Sequence, residues 1–165
     1  MGCGSGFFMI LFTGNIVGLD NAENIDVCRK RGISQVYSTD LERDRFPLDD
    51  EVFDAVICLE VLEHIKNPRN LLDEIRRSLR PNGYLVVSTP NSHMPTWRIR
   101  DDVVLGSDLL SKIYSNRVMG QDENRYSKEE LEQLLVSHGF GVCGFRYPRI
   151  VLPSDDLLVV ARKSG

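Results

Sequence analysis

The sequence predicts an α/β fold with a doubly wound, mostly parallel sheet that ends in an antiparallel hairpin. Strand-like and helix-like segments alternate along most of the chain, which is typical of a parallel sheet covered by helices. Residues 52–59 are apolar almost without interruption, as expected of a strand that is buried on both faces. Residues 147–156 show no helical pattern, so the two strands that flank them are expected to form a hairpin.

The first half of the chain is predicted to contain two helices and three strands. We expect a short buried helix at residues 7–12 and strands at residues 16–19, 35–38 and 52–59. Asn21 is a suitable N-cap for the second helix, and Gly32 is placed to end it. Residues 43–51 are charged and contain a proline, so a loop is expected there.

A third helix is predicted to begin at Asn67 and Pro68. Asparagine is a good N-cap, and proline is tolerated at the first helical position because its missing N–H costs nothing there. Residues 81–83 should end the helix, before a strand at residues 84–89. The expected buried stripe of this helix consists of Leu71, Leu72, Ile75 and Leu79.

The last third of the chain begins with residues 91–125, which are too many for an ordinary strand-to-helix connection. Long insertions at the ligand end of a sheet often form lids, and a surface helix packed on the domain is an equal alternative. Ser127 and Glu130 then have the spacing of a capping box at a helix start. The final strands are expected at residues 141–147 and 157–162.

Composition and charge are those of a single domain spanning residues 1–165. The hydrophobic fraction of 42% is sufficient for a core, and the longest apolar run is too short to span a membrane. A net charge of -4 argues against a general nucleic-acid-binding protein, which needs a concentrated basic surface. The four cysteines lack metal-ligand spacing, so we expect no metal site, no disulfide framework and a cytoplasmic location.

The residues that indicate function begin with Gly2, Gly4 and Gly6. Glycines at alternate positions let the backbone turn tightly and approach a ligand closely. Asp20 ends a short apolar run, where its carboxylate can accept hydrogen bonds from a ribose diol; a helix-start acid is the plain alternative. The combination predicts a nucleotide-cofactor site.

Glu60 and His64 form a second group of candidate residues. They are four residues apart, so one helical turn would place both side chains toward the same cleft. Histidine can act as a general base near neutral pH. The alternative is a histidine that only packs and forms hydrogen bonds at a helix start.

Three stretches carry a resemblance to a known family: Gly-Cys-Gly-Ser-Gly at residues 2–6 with Gly-Leu-Asp at 18–20, residues 53–65, and residues 79–91. In order and spacing they resemble the class I S-adenosylmethionine-dependent methyltransferases. The resemblance covers nearly the whole chain and implies a Rossmann-like methyltransferase fold with S-adenosylmethionine as the cofactor. The cofactor contacts that it implies are Gly2, Cys3, Gly4, Ser5, Gly6, Asp20, Asn21, Asp40, Leu41, Cys58 and Leu59.

The function that the resemblance implies is methyl transfer to an oxygen, nitrogen or carbon nucleophile of a small molecule, with His64 as the candidate base. Aligning the nucleophile with the methyl group supplies most of the catalysis in such a reaction. The alternative is a protein that keeps the fold and binds the cofactor without turnover. A dinucleotide oxidoreductase is disfavoured because the glycine spacing is Gly-x-Gly-x-Gly. A homodimer is left open.

One feature departs from the resembled family, in which a buried strand precedes the glycine-rich segment. Met1 stands where that strand would end. Without the strand, its two neighbours would have unpaired backbone groups. We expect either a truncated or misassigned start with an apolar strand upstream, which we favour, or a sheet closed by other means such as a strand borrowed from a partner.

Overall fold

A computed structural model describes residues 1–11, 14–92, 124–146, 149–150, 152–153 and 156–165, with the backbone alone at 149–150 and 152–153. Short 3-10 turns lie at Met9–Leu11 and Leu62–His64. The longer elements are β1 (Gly18–Asp20), α1 (Ala22–Lys30), β2 (Val36–Ser38), β3 (Phe53–Leu59), α2 (Arg69–Ser78), β4 (Leu79–Pro90), α3 (Lys128–Ser137), β5 (Phe140–Arg146), β6 (Arg149–Ile150), β7 (Leu152–Pro153) and β8 (Asp156–Lys163).

The described strands form a mixed α/β architecture. The larger sheet has the strand order β3-β4-β8-β5, in which β3 and β4 are parallel and β8 is antiparallel to both of its neighbours. Strands β1 and β2 form a separate parallel pair, and β6 and β7 form a small antiparallel pair. The predicted α/β class and the antiparallel end of the sheet are therefore confirmed.

The main core lies between the larger sheet and the helices that cover it. Helix α2 buries one side of its surface, and α3 contributes a second apolar stripe. These side chains join those of the sheet in one cluster, because β4 and β8 alternate inward-facing apolar residues. The central members of the cluster include Leu71, Leu72, Ile75, Leu85, Val87, Leu131, Leu135 and Val159.

Residues 1–3 lie between the two parallel strand pairs. The Met1 amino group donates a hydrogen bond to the Ile57 carbonyl oxygen of β3 at 2.8 Å. The Cys3 N–H donates to the Leu19 carbonyl oxygen of β1 at 3.1 Å. Within the described ranges, β1 and β3 are not paired with each other, and this short segment links them near their carboxyl ends. An upstream strand in line with it stays a prediction.

The predicted buried helix at residues 7–12 is wrong where the structure describes it. Only Met9–Leu11 form a 3-10 turn, and the large side chains around Met9 are exposed. The run is apolar on every side, so it has no polar face to leave in water while another face is buried. It is also too short to offset the cost of helix nucleation. Phe12 lies outside the described residues.

Helix α2 begins one residue later than predicted, at Arg69, and ends earlier. Asn67 stabilises the start of the helix, because its Oδ1 accepts a hydrogen bond from the Arg69 N–H at 3.2 Å. The helix stops at Ser78, and Leu79 takes an extended conformation with ψ 137. Leu79 is buried as predicted, but it belongs to β4 rather than to the helix, because it pairs with Phe53 of β3.

The predicted caps of α1 and α3 are confirmed. The Asn21 side chain accepts a hydrogen bond from the Asn24 N–H at 3.0 Å at the start of α1. Ser127 and Glu130 make both bonds of a capping box, at 2.8 and 3.1 Å. Gly32, just after α1, has the positive φ of 82 expected where a helix terminates.

Most of the predicted lid, residues 93–123, lies outside the described residues. Its two ends are described and are fixed to the domain. The Ser92 N–H donates to the Tyr126 carbonyl oxygen at 3.0 Å, and the Asn124 N–H donates to that of Glu63 at 3.0 Å. In the part of the chain that the structure describes, no helix combines the length and the apolar character needed to cross a bilayer.

Candidate cofactor-binding site

A cavity of about 650 Å³ lies at the carboxyl ends of β1, β2 and β3, beside the glycine-rich segment. Ligand sites in proteins commonly measure roughly 300–1,000 Å³, so this cavity has room for a nucleotide-sized molecule. Crevices at the carboxyl ends of parallel strands are the usual ligand sites of such sheets. The lining residues are Gly2, Gly4, Asp20, Asn21, Ala22, Asn24, Ser38, Thr39, Asp40, Leu41, Glu60, Val61, His64 and Ile65.

Asp20 is the centre of the hydrogen bonds on one side of the cavity. Its Oδ2 accepts from the Gly4 N–H at 2.7 Å, and its Oδ1 accepts from the Asn21 N–H and the Asn24 Nδ2, both at 2.8 Å. The residue is only 8% exposed. A carboxylate has about four acceptor positions, so three of them hold the loop and helix start in place and one is left for a ligand.

The glycine-rich segment has a backbone that other residues would adopt only with strain. Gly4 has φ 52 and directs its N–H to Asp20, and a Cβ added to it would meet nothing within 4 Å. Gly6 has φ 75, and a Cβ there would lie 2.3 Å from Ile33 Cδ1 and 3.0 Å from Cys28 Sγ. Gly4 therefore leaves the backbone accessible to a ligand, whereas Gly6 allows the segment to pack against the residues beneath it.

The end of β2 supplies the next part of the cavity. The Thr39 N–H donates to the Asp20 carbonyl oxygen at 2.9 Å, which holds this strand end beside β1. Asp40 forms a turn in which its Oδ1 accepts from the Glu42 N–H at 2.9 Å. Leu41 packs partly against the main core. An acidic residue followed by an apolar one therefore faces the space next to Asp20.

The end of β3 contributes Glu60 and Val61 rather than the two residues predicted from the sequence. Cys58 is 1% exposed inside the core, and neither it nor Leu59 lines the cavity. Glu60 has a positive φ of 52, which is uncommon for a residue with a side chain. Its N–H donates to the carbonyl oxygen and to the Oγ of Ser88, at 3.1 and 3.2 Å, and the Ser88 hydroxyl donates to its carboxylate.

His64 ends the 3-10 turn Leu62–His64 and lines the cavity together with Glu60, so the two side chains share one site as predicted. The His64 side chain is 47% exposed, whereas the neighbouring Glu63 side chain is only 3% exposed. His64 Nε2 lies 3.9 Å from Glu63 Oε1. A buried carboxylate at this distance favours an imidazole ring that points in one direction.

The sequence prediction and the cavity agree in part. Seven of the predicted residues line it: Gly2, Gly4, Asp20, Asn21, Asp40, Leu41 and His64. Five do not: Cys3, Ser5, Gly6, Cys58 and Leu59. Lining residues that the sequence did not single out as ligands include Asn24 and Thr39. The spacing of Asn24, one helical turn after Asp20, could have indicated it.

The charges around the cavity are negative. Asp20, Asp40 and Glu60 line it, and none of its described lining residues is a lysine or an arginine. Burial, with smaller effects of Cys28 and Asp20, raises the pKa of the Cys3 thiol to about 12. Burial also raises the pKa of Cys58 to about 11. Both thiols are therefore neutral at physiological pH, and the acidic lining favours a ligand that carries positive charge.

These observations fit S-adenosylmethionine. The cavity is large enough, the exposed backbone at Gly4 permits close approach, and Asp20 has an acceptor position left beside the start of α1. The sulfonium and ammonium groups of the cofactor are cationic, which suits an acidic lining. The fold and the cavity together define an α/β protein with a nucleotide-cofactor site.

The methyltransferase-domain family matches residues 1–87, which is more than half of the chain, and the chain belongs to this family. S-adenosylmethionine is the cofactor of these enzymes. The ubiquinone biosynthesis O-methyltransferase of Actinobacillus pleuropneumoniae serotype 7 is 28% identical over 125 residues, which cover 68% of this chain and 52% of that protein. The chain thus spans about half the length of the curated relatives that it matches.

Solved structures confirm the fold class. An S-adenosylmethionine-dependent methyltransferase from Thermotoga maritima superposes with a TM-score of 0.72 at 22% identity, over 99% of this chain and 80% of that one. Another from Methanosarcina mazei gives a TM-score of 0.72 at 18% identity, over 99% and 90% of the two chains. At these identities the similarity concerns the fold alone.

Proposed function

We propose that the protein is an S-adenosylmethionine-dependent methyltransferase that acts on an oxygen, nitrogen or carbon nucleophile of a small molecule. The observation that carries the proposal is the arrangement of Gly4, Asp20 and Asn24 around one side of the cavity, where a backbone close to the ligand space is fixed to a buried carboxylate. An oxygen nucleophile is favoured because the curated relatives are named as O-methyltransferases.

Each side of the cavity has a separate role in this proposal. The backbone at Gly2 and Gly4 would lie against the cofactor, and Asp20 would accept hydrogen bonds from its ribose. Asp40 and Leu41 would contact the adenine. When bound, the cofactor supplies an electrophilic methyl group on a sulfonium. The chain itself has to hold the acceptor in line with that methyl group and keep water out.

His64 is the candidate group for removing a proton from the acceptor. A hydroxyl acceptor becomes a much better nucleophile as its proton leaves, and the imidazole of His64 lines the cavity where it could accept that proton. Glu63, buried beside it with its Oε1 3.9 Å from Nε2, would orient the ring. An acceptor that is already nucleophilic would not need this step.

The proposal is tested by titration calorimetry of the purified chain with S-adenosylmethionine, S-adenosylhomocysteine and NAD. We expect heat of binding with the first two and none with NAD. No heat with the first two, or a preference for NAD, would contradict the assignment. Turnover is then measured with radiolabelled cofactor and a panel of phenols, amines and acidic carbon acceptors. Binding without turnover on any acceptor would favour the alternative of a non-catalytic cofactor-binding protein.

The expected cellular setting follows from the same proposal. The four cysteines are free, with Cys28 and Cys58 buried, which suits a reducing compartment such as the cytoplasm. The partner that we propose is the small-molecule acceptor, and a homodimer is a further arrangement that sedimentation can test.

A further inference from the structure

An apolar patch surrounds the short turn that follows the glycine-rich segment. It consists of Phe7, Phe8, Ile10 and Leu11, whose exposed fractions are 62%, 52%, 65% and 62%. Single exposed apolar residues are common on protein surfaces, but a contiguous group of large ones marks an interaction site. The four residues lie within five positions of one another, so they form such a group.

The patch is built on a fixed base. Met9, in the middle of it, faces inward and packs against the small core cluster of Ile25, Cys28 and Val36. The Met9 N–H donates to the Gly6 carbonyl oxygen at 3.0 Å, which closes the turn. With Met9 anchored inside, its larger neighbours are held on the outside. The turn thus fixes the four exposed side chains around one anchored residue.

Three consecutive cations border the patch. Arg29, Lys30 and Arg31 are all exposed at the end of α1. Arg31 Nη1 donates to the Ser5 carbonyl oxygen at 3.0 Å, two residues before Phe7, so the Arg31 cation lies beside the segment that carries the patch. Arg29 is also 3.7 Å from an exposed aspartate one turn earlier, a weak contact at the surface. In a chain with a net charge of -4, this end of α1 is a local basic region.

We propose that the apolar patch docks on the surface of an anionic lipid bilayer. Aromatic and aliphatic side chains enter the boundary between headgroups and acyl chains, and neighbouring lysine and arginine residues attract acidic headgroups. A second copy of the chain fits less well, because a symmetric contact would bring the two groups of three cations together. Gly4, which lines the cavity, is three residues from Phe7, so docking brings the cavity close to the lipid surface.

The proposal is tested by co-sedimentation with extruded vesicles of phosphatidylcholine alone and of phosphatidylcholine mixed with phosphatidylserine. We expect the chain to bind the mixed vesicles, and added salt to weaken the binding. Phe7→Ser combined with Phe8→Ser should lower the partition coefficient roughly tenfold or more, because two large apolar side chains leave the interface. Arg29→Gln combined with Lys30→Gln should reduce binding to mixed vesicles roughly fivefold or more.

Val136→Ser is the matched control, because Val136 is 56% exposed on α3, away from the patch. It should bind as the unchanged chain does. Thermal melts verify folding, and Ile10→Ser with Leu11→Ser replaces the phenylalanine variant if that variant does not fold. Failure of the unchanged chain to bind mixed vesicles, or equal binding by the patch variants, overturns the proposal. So does a lipid-free dimer that the patch variants convert to a monomer, which would assign the patch to self-association.

Discussion

Replacing Asp20 with asparagine tests whether this side chain holds both the loop and the cofactor. Asparagine has nearly the same shape, but it has one acceptor oxygen and carries no charge. In the lower-energy orientation of the new amide group, its oxygen keeps the hydrogen bonds from the Asn21 N–H and the Asn24 Nδ2. The amide nitrogen then faces the Gly4 N–H, which now donates to Asp20 at 2.7 Å. Two donors would face each other in a site that is only 8% exposed.

The expected loss is that of one hydrogen bond to a charged acceptor, about 1.5–3 kcal/mol of the free energy of unfolding. For a chain of this size, that loss corresponds to a decrease in melting temperature of roughly 3–12 °C. If the ribose also donates to Asp20, the variant loses a second bond of similar strength in the complex. The cofactor affinity should then fall by roughly 10–150-fold.

Thermal melts with and without S-adenosylmethionine separate the two effects, and calorimetry gives the affinity. The melt without cofactor measures the loss inside the protein, and the cofactor-induced rise measures binding. Asp26→Asn is the control, since it removes the same charge from an α1 side chain that is 68% exposed. An unchanged melting temperature for Asp20→Asn would refute the structural reasoning. A lowered melting temperature with unchanged affinity would refute the ribose role alone.

Three further changes test other parts of the structure. Gly6→Ala should cost roughly 2–5 kcal/mol in urea unfolding through strain and overpacking, whereas Gly32→Ala, with φ 82 and open space around it, should cost only about 1–2 kcal/mol. Burial pushes the pKa of Glu74 upward, but the Arg77 guanidinium 2.6 Å away, together with the Phe46 N–H and Arg45, outweighs it and holds that pKa below its ordinary value. The Glu74–Arg77 pair therefore contributes its full stabilisation at pH values above the pKa that Glu74 has in the unfolded chain. That stabilisation is lost as the pH falls through the lower pKa of Glu74 in the folded protein. Stability should thus decline less toward acid pH in Glu74→Gln than in the unchanged chain. His64→Gln should reduce kcat roughly 10²–10⁴-fold with the cofactor Kd nearly unchanged, and an unchanged kcat would exclude His64 as the base.

The sequence was informative about the fold wherever local chemistry decides an element. Asn21 at the start of α1 and the Ser127–Glu130 box of α3 were predictable because a cap depends on a few neighbouring residues. The end of α2 at Ser78 was not predictable in this way. Leu79 fits the periodicity of the helix, but its pairing with β3 makes it the first residue of β4. Such long-range pairing leaves no local signal.

The candidate site shows the same division. The predicted residues that line the cavity follow turns or strand ends, where the chain has to open toward a ligand. Cys58 and Leu59 do not line it, because both still belong to strand β3. The chain changes direction only at the next residue, Glu60, which has a positive φ. A left-handed residue with a side chain is uncommon, and nothing in the sequence marks this glutamate as one.

The position of β8 determines when the larger sheet can form during synthesis. β8 lies between β4 and β5, although the ribosome makes it after both. Until Asp156–Lys163 have left the ribosome, the edges of β4 and β5 that β8 pairs with have unpaired backbone groups. The core side chains that β8 contributes, such as Val159 and Ala161, are also missing. A nascent chain that has not yet released this strand exposes backbone edges prone to unwanted pairing. The larger sheet is therefore completed only after β8 has been synthesised, and the facing edges of β4 and β5 stay open until then.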